Sequence, residues 1–180
     1  FSRSQILLVT AGLGIRHQRF YAPNTNYCDE KTMFQIRSAA EEDSAAIRDL
    51  VHIGRINPTG LKWERFMVAE DADGQVVGCC QVKSHRDGSD ELASLVVHPD
   101  WRGQGIARAL IEHFLSVYEG DLYLMCRANM GPLYEKFGFH IVPRDEMPRY
   151  FQRIVRLVGL FEIVRGDGQG GLIMKRAGRT

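Results

Sequence analysis

The chain has 180 residues, of which 44% are hydrophobic and 25% charged, and its formal net charge is +1. This composition predicts one folded domain with a sizeable core, and it argues against a disordered chain, a generally basic nucleic-acid binder and a membrane protein. The longest apolar runs, such as 6–9 and 95–97, are far too short to cross a bilayer. The four cysteines show no CxxC spacing, which favours a reducing compartment, the cytoplasm, over secretion.

The N-terminal 32 residues differ from the rest of the chain. They contain three arginines, no acidic residue before Asp29 and no sustained hydrophobic period. Two interpretations stay open: an extension upstream of a natural start at Met33, which we prefer, or an organelle-targeting segment, typically rich in Arg and Ser. We therefore predict an N-terminal extension over 1–32 and one folded domain over 33–180.

Strand and helix patterns alternate from Met33 onward. Alternating apolar residues predict strands, spacings of three and four predict helices, and Gly- or Asp-rich turns separate them. The predicted strands are 34–38, 66–70, 75–83, 91–98, 122–127, 139–142 and 171–175, and the predicted helices are 42–53, 103–120, 132–137 and 146–159. A glycine-rich loop over 166–171 is expected to join residues 161–165 to the last strand. The short turn between the second and third strands makes that pair antiparallel. We expect a mixed α/β sheet with interleaved helices.

The predicted helix 146–159 has an apolar face and a basic face, the latter formed by Arg149, Arg153 and Arg156. Such a stripe is usually a solvated face, and less often a site for phosphate or an acidic partner.

The segment 96–110, VVHPDWRGQGIARAL, runs from a strand through a turn and a glycine pair into a helix. The N–H groups of a helix start have no carbonyl partners, and with the peptide dipoles they bind anions. Gly103 and Gly105 carry no Cβ, so a bulky phosphate can approach the main chain. On these residues alone, a phosphate site and a plain tight turn are both open. The chain lacks GxxxxGK[ST] and GxGxxG, which disfavours the common nucleotide loops.

Three motifs in this order resemble the GCN5-related N-acetyltransferase (GNAT) family. Residues 102–107, RGQGIA, match the family's coenzyme A loop [Q/R]xxGx[G/A] in full, within the similar strand, loop and helix of 95–110. The segment 36–47, IRSAAEEDSAAI, is similar to the opening strand and helix, and 129–139, NMGPLYEKFGF, to a later motif. The resemblance covers Met33 to about Lys175. It implies a mixed, mostly antiparallel sheet of about six or seven strands flanked by helices, with splayed central strands.

The resemblance also implies acetyl-CoA as cosubstrate. Its pyrophosphate would sit on the N–H groups of 104–107, and a backbone N–H near Val97 would bind the thioester oxygen, where negative charge develops as an amine attacks. Asn129 would hydrogen-bond the coenzyme arm or cap the following helix. The predicted coenzyme-binding residues are Val96, Val97, Arg102, Gly103, Gln104, Gly105, Ile106, Ala107 and Asn129.

Acetyl transfer to an amine needs a general acid and a general base. Tyr134 occupies the place of the family's usual acid; the alternative is a core aromatic residue with a surface hydroxyl. Glu91 is the predicted base, since histone-acetylating members place a glutamate at the similar position. Period-two alternation is expected to put Glu91, Ala93, Leu95 and Val97 on one face. Alternatively, Glu91 only caps a strand end, and a chain of water molecules takes the place of the general base. Asp90 and His98 are weaker candidates.

We therefore expect an N-acetyltransferase that transfers acetyl from acetyl-CoA to a primary amine of a small molecule or protein, by direct attack in a ternary complex. The alternatives are a non-catalytic acyl-CoA-binding sensor or partner domain, and a generic nucleotide-binding domain. The remaining histidines show no metal-ligand spacing, so no metal is expected. Nor do we expect a nucleic-acid or membrane partner, and the chain is expected to be a monomer or homodimer. The resemblance places the acceptor pocket at about 53–66 and 143–164.

Overall fold

The computed structural model describes residues 33–165, with the side chains of 158–165 excepted, and residues 171–179. The predicted extension over 1–32 and most of the predicted glycine-rich loop lie outside the described residues. Within the described ranges, one sheet contains the strands β1 (Phe34–Ser38), β2 (Phe66–Asp71), β3 (Val76–Ser84), β4 (Asp90–Val97), β5 (Leu122–Arg127), β6 (His140–Ile141) and β7 (Gly171–Arg176). The helices are α1 (Ser44–Ile53), α2 (Ile106–Val117), α3 (Gly131–Glu135) and α4 (Arg149–Arg165).

The strands lie in the order β1-β2-β3-β4-β5-β7-β6. Neighbouring strands are antiparallel except β4 and β5, which are parallel. A parallel pair requires a long crossover, and α2 supplies it between β4 and β5. The predicted mixed, mostly antiparallel sheet is confirmed.

Each face of the sheet carries its own apolar core. On the α1 face, Ile47 and Leu50 share one side of the helix and pack with Phe66, Val68, Cys79 and Val96. On the α2 face, residues at helical spacing pack against β2 to β5, among them Ile106, Leu110, Ile111, Phe114 and Leu115. Both helices therefore bury the amphipathic stripe that their sequences predict.

The entry to α1 is fixed by an ion-pair network. A 3₁₀ turn, Glu41–Asp43, precedes the helix, and the Asp43 carboxylate accepts the N–H of Ala40 at 2.7 Å. Arg37 of β1 donates to Asp43 over 2.6 Å and also to Glu70 of β2. The guanidinium holds the pKa of Asp43 below its usual value. The network therefore ties two strands to the start of α1.

Several predicted boundaries were wrong. The helix predicted from Gly103 begins at Ile106, because Gly103 and Gly105 have φ of 80° and 85°. The helix predicted over 146–159 begins at Arg149 and continues to Arg165, so residues 161–165 belong to it. The strand predicted over 139–142 pairs only at 140–141. No helix within the described ranges is long and apolar enough to cross a membrane.

Strand β4 contains one more residue than its partner β3. Cys79 lies opposite Val96, whereas Gln81 lies opposite Ala93. Cys80 therefore faces two residues, Ser94 and Leu95, and Ser94 has a φ of 56°. These are the features of a β-bulge, which locally bends a strand.

Because of the bulge, the side chains in the second half of β4 lie on the opposite face of the sheet from the one that strict alternation predicts. Residues directly opposite in a ladder share a face. Glu91 pairs with Lys83 and Ala93 with Gln81, on the same face as the pair Cys79 and Val96 that packs under α1. Leu95 and Val97 instead pack against the α2 core. The prediction that Glu91, Ala93, Leu95 and Val97 share a face was therefore wrong, because one inserted residue inverts the alternation.

Candidate functional site

A gap opens between β4 and β5. The two strands pair only at Asp90 with Leu122 and at Glu91 with Tyr123. Beyond Glu91 they diverge, while β5 pairs along its full length with β7 on its other edge. The edge of β4 that faces β5 therefore has no strand partner from Leu92 to Val97 among the described residues. The predicted splay of the central strands is confirmed.

The loop after β4 exposes main-chain N–H groups. Residues 99–101 form a 3₁₀ turn, in which the N–H of Asp100 points at Nδ1 of His98 at 3.4 Å. The helical hydrogen bonds of α2 then begin with Ala109 N donating to the carbonyl of Gly105 at 3.0 Å. Within the described ranges, the N–H groups of 103–108 donate to no backbone carbonyl. They are the donors expected at a helix start.

The space in front of this loop is open. A Cβ built on Gly103 or Gly105 would meet no atom within 4 Å, and both glycines have left-handed φ. Arg102 and Gln104 are exposed, whereas the side chain of Ile106 is buried in the α2 core and leaves only its N–H to the site. The open main chain, the free donors and the helix dipole are the features that favour anion binding at a helix start.

Tyr134 lies on the α2 face with Val97. Both pack against the same apolar core, and the Tyr134 ring meets Phe139 edge-on at 6.1 Å between centroids. Burial raises the pKa of its hydroxyl, and the neighbouring Cys80 and Cys126 raise it further. The tyrosine is therefore held in its protonated form, as a proton donor requires.

Glu91 lies on the α1 face, at the closed end of the gap. Its Oε2 is 2.9 Å from Nε2 of His85, and only 10% of its side chain is exposed. Tyr123 pairs beside it in β5. The carboxylate is thus not a simple strand cap, because it faces a titratable partner across the β3–β4 turn.

The other predicted candidates differ in their surroundings. Asp90 accepts a hydrogen bond from the hydroxyl of Tyr118, and His98 accepts the N–H of Asp100, so both side chains are engaged in structure. Asn129 is exposed in a 3₁₀ turn, and the residue at the N-cap of α3 is Met130. The expectation that Asn129 caps this helix was therefore wrong. Within the described part of the chain, no three His, Cys, Asp or Glu side chains converge as metal ligands.

Two residues beside Glu91 were missed by sequence reasoning, His85 in the β3–β4 turn and Tyr150 at the start of α4. Their rings stack with centroids 3.4 Å apart and an interplanar angle of 14°. His85 lies six residues from Glu91, a spacing that carries no motif, and Tyr150 is distant in sequence. Only the fold brings them together.

Comparison with known proteins identifies the domain. Residues 62–141 match the sequence profile of the family described as acetyltransferase (GNAT) domain. This match spans β2 to β6 and includes the open loop and the gap.

The chain contains a GNAT domain. An uncharacterized N-acetyltransferase of Chlorobaculum tepidum is 29% identical over 90 residues, which cover 49% of this chain and 57% of that protein. The chain thus spans a little over half the length of this relative.

Solved structures share the fold of this GNAT domain at low sequence identity. The N-acetylglutamate synthase of Neisseria gonorrhoeae, complexed with coenzyme A and N-acetyl-glutamate, superposes with a TM-score of 0.62 at 21% identity, over 83% of this chain and 36% of that protein. A Mycobacterium tuberculosis protein in complex with CoA gives a TM-score of 0.61 at 22% identity, over 79% of this chain and 98% of its own.

Proposed function

We propose that this chain is an acetyl-CoA-dependent N-acetyltransferase that acts on a primary amine by direct attack in a ternary complex. The observation that carries the proposal is the gap between β4 and β5, which opens beside a helix start with free N–H groups and open glycines. The GNAT match and the CoA-bound neighbours support the same assignment.

The loop of 102–107 fits the pyrophosphate of the cosubstrate. A pyrophosphate needs several donors and close access to the main chain. The N–H groups of 104–107 supply the donors, and Gly103 and Gly105, which have no Cβ, leave the main chain accessible. Arg102 is exposed at the rim and adds positive charge. Asn129, exposed just after β5, is available to the coenzyme arm.

The unpaired edge of β4 fits the thioester. Amine attack on the thioester carbon places negative charge on the carbonyl oxygen, and a fixed N–H donor stabilises that charge. The N–H of His98 donates to the carbonyl of Val77 in β3, so alternation along the strand turns the N–H of Val97 toward the edge that β5 leaves unpartnered. This N–H costs no reorganisation during the reaction, because the sheet already holds it in place.

The reaction converts a primary ammonium and a thioester into an amide and a thiol, and it releases one proton. Glu91 takes a proton from the ammonium, directly or through water, and so creates the nucleophile. As the carbon–sulfur bond breaks, Tyr134 donates its hydroxyl proton to the departing sulfur. The nitrogen then loses a second proton, and a proton returns through solvent to the Tyr134 oxygen.

The two proton-transfer groups lie on opposite faces of the sheet. Tyr134 packs in the α2 core with Val97, whereas Glu91 faces the α1 side. This arrangement supports entry of the cosubstrate from the α2 face and of the amine from the α1 face, with the acetyl group between them in the gap. No covalent cysteine is needed, because the two substrates can meet directly.

Exposed arginines lie near the two segments where the acceptor pocket is expected. A groove of about 510 Å³ between α1 and the following loop is lined in part by Arg48 and Arg55, together with Asp49. On α4, Arg149, Arg153 and Arg156 are exposed. These charges support an amine that carries acidic groups nearby, on a small molecule or a protein surface.

Binding is tested by thermal shift and calorimetry with acetyl-CoA, ATP and NAD. We expect stabilisation by acetyl-CoA alone. The absence of any stabilisation by acetyl-CoA contradicts the proposal, and equal stabilisation by ATP or NAD indicates a general nucleotide site.

Catalysis is tested by thiol release from acetyl-CoA with a panel of amines. The panel contains L-glutamate, simple alkylamines, and peptides with a free α-amino group or a lysine. We expect amine-dependent thiol release above the buffer rate. Tight acetyl-CoA binding with no turnover on any amine favours the non-catalytic sensor instead.

A further inference from the structure

His85 is held between the predicted base and helix α4. Its Nε2 lies 2.9 Å from Oε2 of Glu91, and only 11% of the His85 side chain is exposed. Within the described ranges, Oε1 of Glu91 accepts no hydrogen bond. One carboxylate oxygen is thus engaged, and the other is left for a proton.

Helix α4 fixes the imidazole from the other side. The Tyr150 ring stacks on His85, and Phe151 meets the same imidazole edge-on at 5.9 Å. The N–H of Tyr150 donates to Oδ2 of Asp87 at 2.6 Å, so the β3–β4 turn caps the start of α4. The ring cannot rotate away without breaking the stack.

We propose that His85 is a positioning residue for the Glu91 carboxylate, which it orients by donating Nε2–H to Oε2 so that Oε1 receives the proton of the acceptor ammonium. This inference rests on the proposed acetyltransferase function. An ionised carboxylate can only accept, so the pairing requires that Nε2 of His85 carries a proton.

The charged groups around His85 agree with this role. Glu91 faces it from β4 and Tyr150 faces it from α4, and the Asp87 carboxylate of the same turn accepts the N–H of Tyr150. Burial, and then the carboxylates of Glu91 and Asp87, raise the pKa of Tyr150, so its ring remains neutral against the imidazole. Lys83 lies opposite Glu91 on β3, but its Nζ donates to the carbonyl of Thr59 at 2.8 Å. His85 is therefore the direct donor to the carboxylate.

The test compares His85→Phe, which keeps an aromatic ring for Tyr150 but removes the donor, with His85→Gln, which restores an N–H donor. His113→Phe is the control, because this half-buried histidine lies on α2 away from the pair. Turnover is measured from about pH 4 to 9.5, a range that includes the usual ionisation range of a carboxyl group, with acetyl-CoA and the fastest amine of the panel described above.

We expect His85→Phe to lower kcat by about 10- to 100-fold and to move the rising limb of the pH profile upward by about half a pH unit or more, since a carboxylate without its donor ionises less readily. His85→Gln should recover part of both effects, and His113→Phe neither. The KM for acetyl-CoA should stay within about twofold.

A pH profile for His85→Phe that superimposes on wild type overturns the proposal, even if the melting temperature falls. Should His85→Phe not fold, an unmoved pH profile for His85→Leu, which also lacks the donor, overturns it equally. Full activity of Glu91→Gln would show that Glu91 is not the base, and this result would overturn the proposed role of His85 as well. Acetyl-CoA titration of each variant reports separately on the proposed function, because cosubstrate binding does not depend on this pair.

Discussion

Gln81 donates a hydrogen bond from Nε2 to Oγ of Ser94, 2.9 Å away, and so anchors the bulge of β4 to β3. Gln81 is fully buried, and its Oε1 accepts no hydrogen bond from the described residues. Ser94 adopts a left-handed φ, which costs a non-glycine residue about 1–2 kcal/mol. The bulge therefore persists against a local cost, as is common next to functional sites.

Replacement of Ser94 tests whether the bulge matters for the site. Ser94→Gly should keep the bulge, because relief of the left-handed φ, about 1–2 kcal/mol, offsets much of the cost of leaving the buried Nε2 of Gln81 without an acceptor, about 1–3 kcal/mol. Ser94→Val should lose about 2 kcal/mol or more and bind acetyl-CoA more weakly, since a β-branched residue disfavours this φ. Chemical denaturation and calorimetry measure both. Equal acetyl-CoA affinity in the two variants contradicts a role of the bulge in the site.

Gly105→Glu should weaken acetyl-CoA binding at least about tenfold, because a carboxylate enters the space in front of the free N–H groups and repels phosphate. Gly74→Glu is the matched control. Gly74 lies in the β2–β3 turn with φ of 78° and has the same open surroundings, so the backbone cost is equal. Calorimetry of both variants separates backbone strain from loss of the anion site, and equal affinities would refute that site.

Tyr134→Phe should lower kcat by about 10²–10⁴, the usual range for a proton-transfer group, and leave the Kd of acetyl-CoA largely unchanged. Tyr118→Phe is the control, because it removes the hydroxyl that donates to Asp90 at the other end of β4. That variant should lose stability and keep its turnover. Unchanged turnover in Tyr134→Phe would exclude the acid role.

Asp43→Asn should lower the free energy of unfolding by about 1–3 kcal/mol at neutral pH, because Arg37 loses a charged partner. The pKa of Asp43 is depressed in the folded state, so its contribution is complete above its unfolded value near 3.9 and is lost as the pH falls below it. Wild type should thus lose more stability than Asp43→Asn between pH 5 and 3. Denaturant titration at each pH measures the free energy of unfolding. If this free energy falls equally with pH in both proteins, the coupling between Asp43 and Arg37 is contradicted.

The order of the elements could be predicted because each segment of this chain carries its own periodicity. The strands at 34–38 and 122–127 have the predicted bounds, since a helix or turn signal borders each of them. The prediction began helix α4 three residues too early and ended it six residues too soon. The start was not predictable because it depends on Asp87 from a distant turn. A cap supplied from elsewhere in the fold leaves no local signal.

The glycine loop of 102–107 before a helix was predictable for a related reason, since its glycines and the helix lie within a few residues of one another. The facing of Glu91 was not predictable. It depends on one extra residue at Ser94, and nothing in the residue types of LASLVV marks a bulge there. The partnership of Glu91 with His85 follows from the turn geometry and from Tyr150, which only the folded chain supplies.

Strand β7 lies between β5 and β6, although both precede it in the chain. The second half of the sheet therefore cannot assemble in the order in which the ribosome delivers it. Until residues 171–176 have been synthesised, the long edge of β5 has no partner on that side, and such an edge invites pairing with other chains. A truncation just before Gly171 should accordingly cause aggregation during expression, while β1 to β4 have local partners from the start.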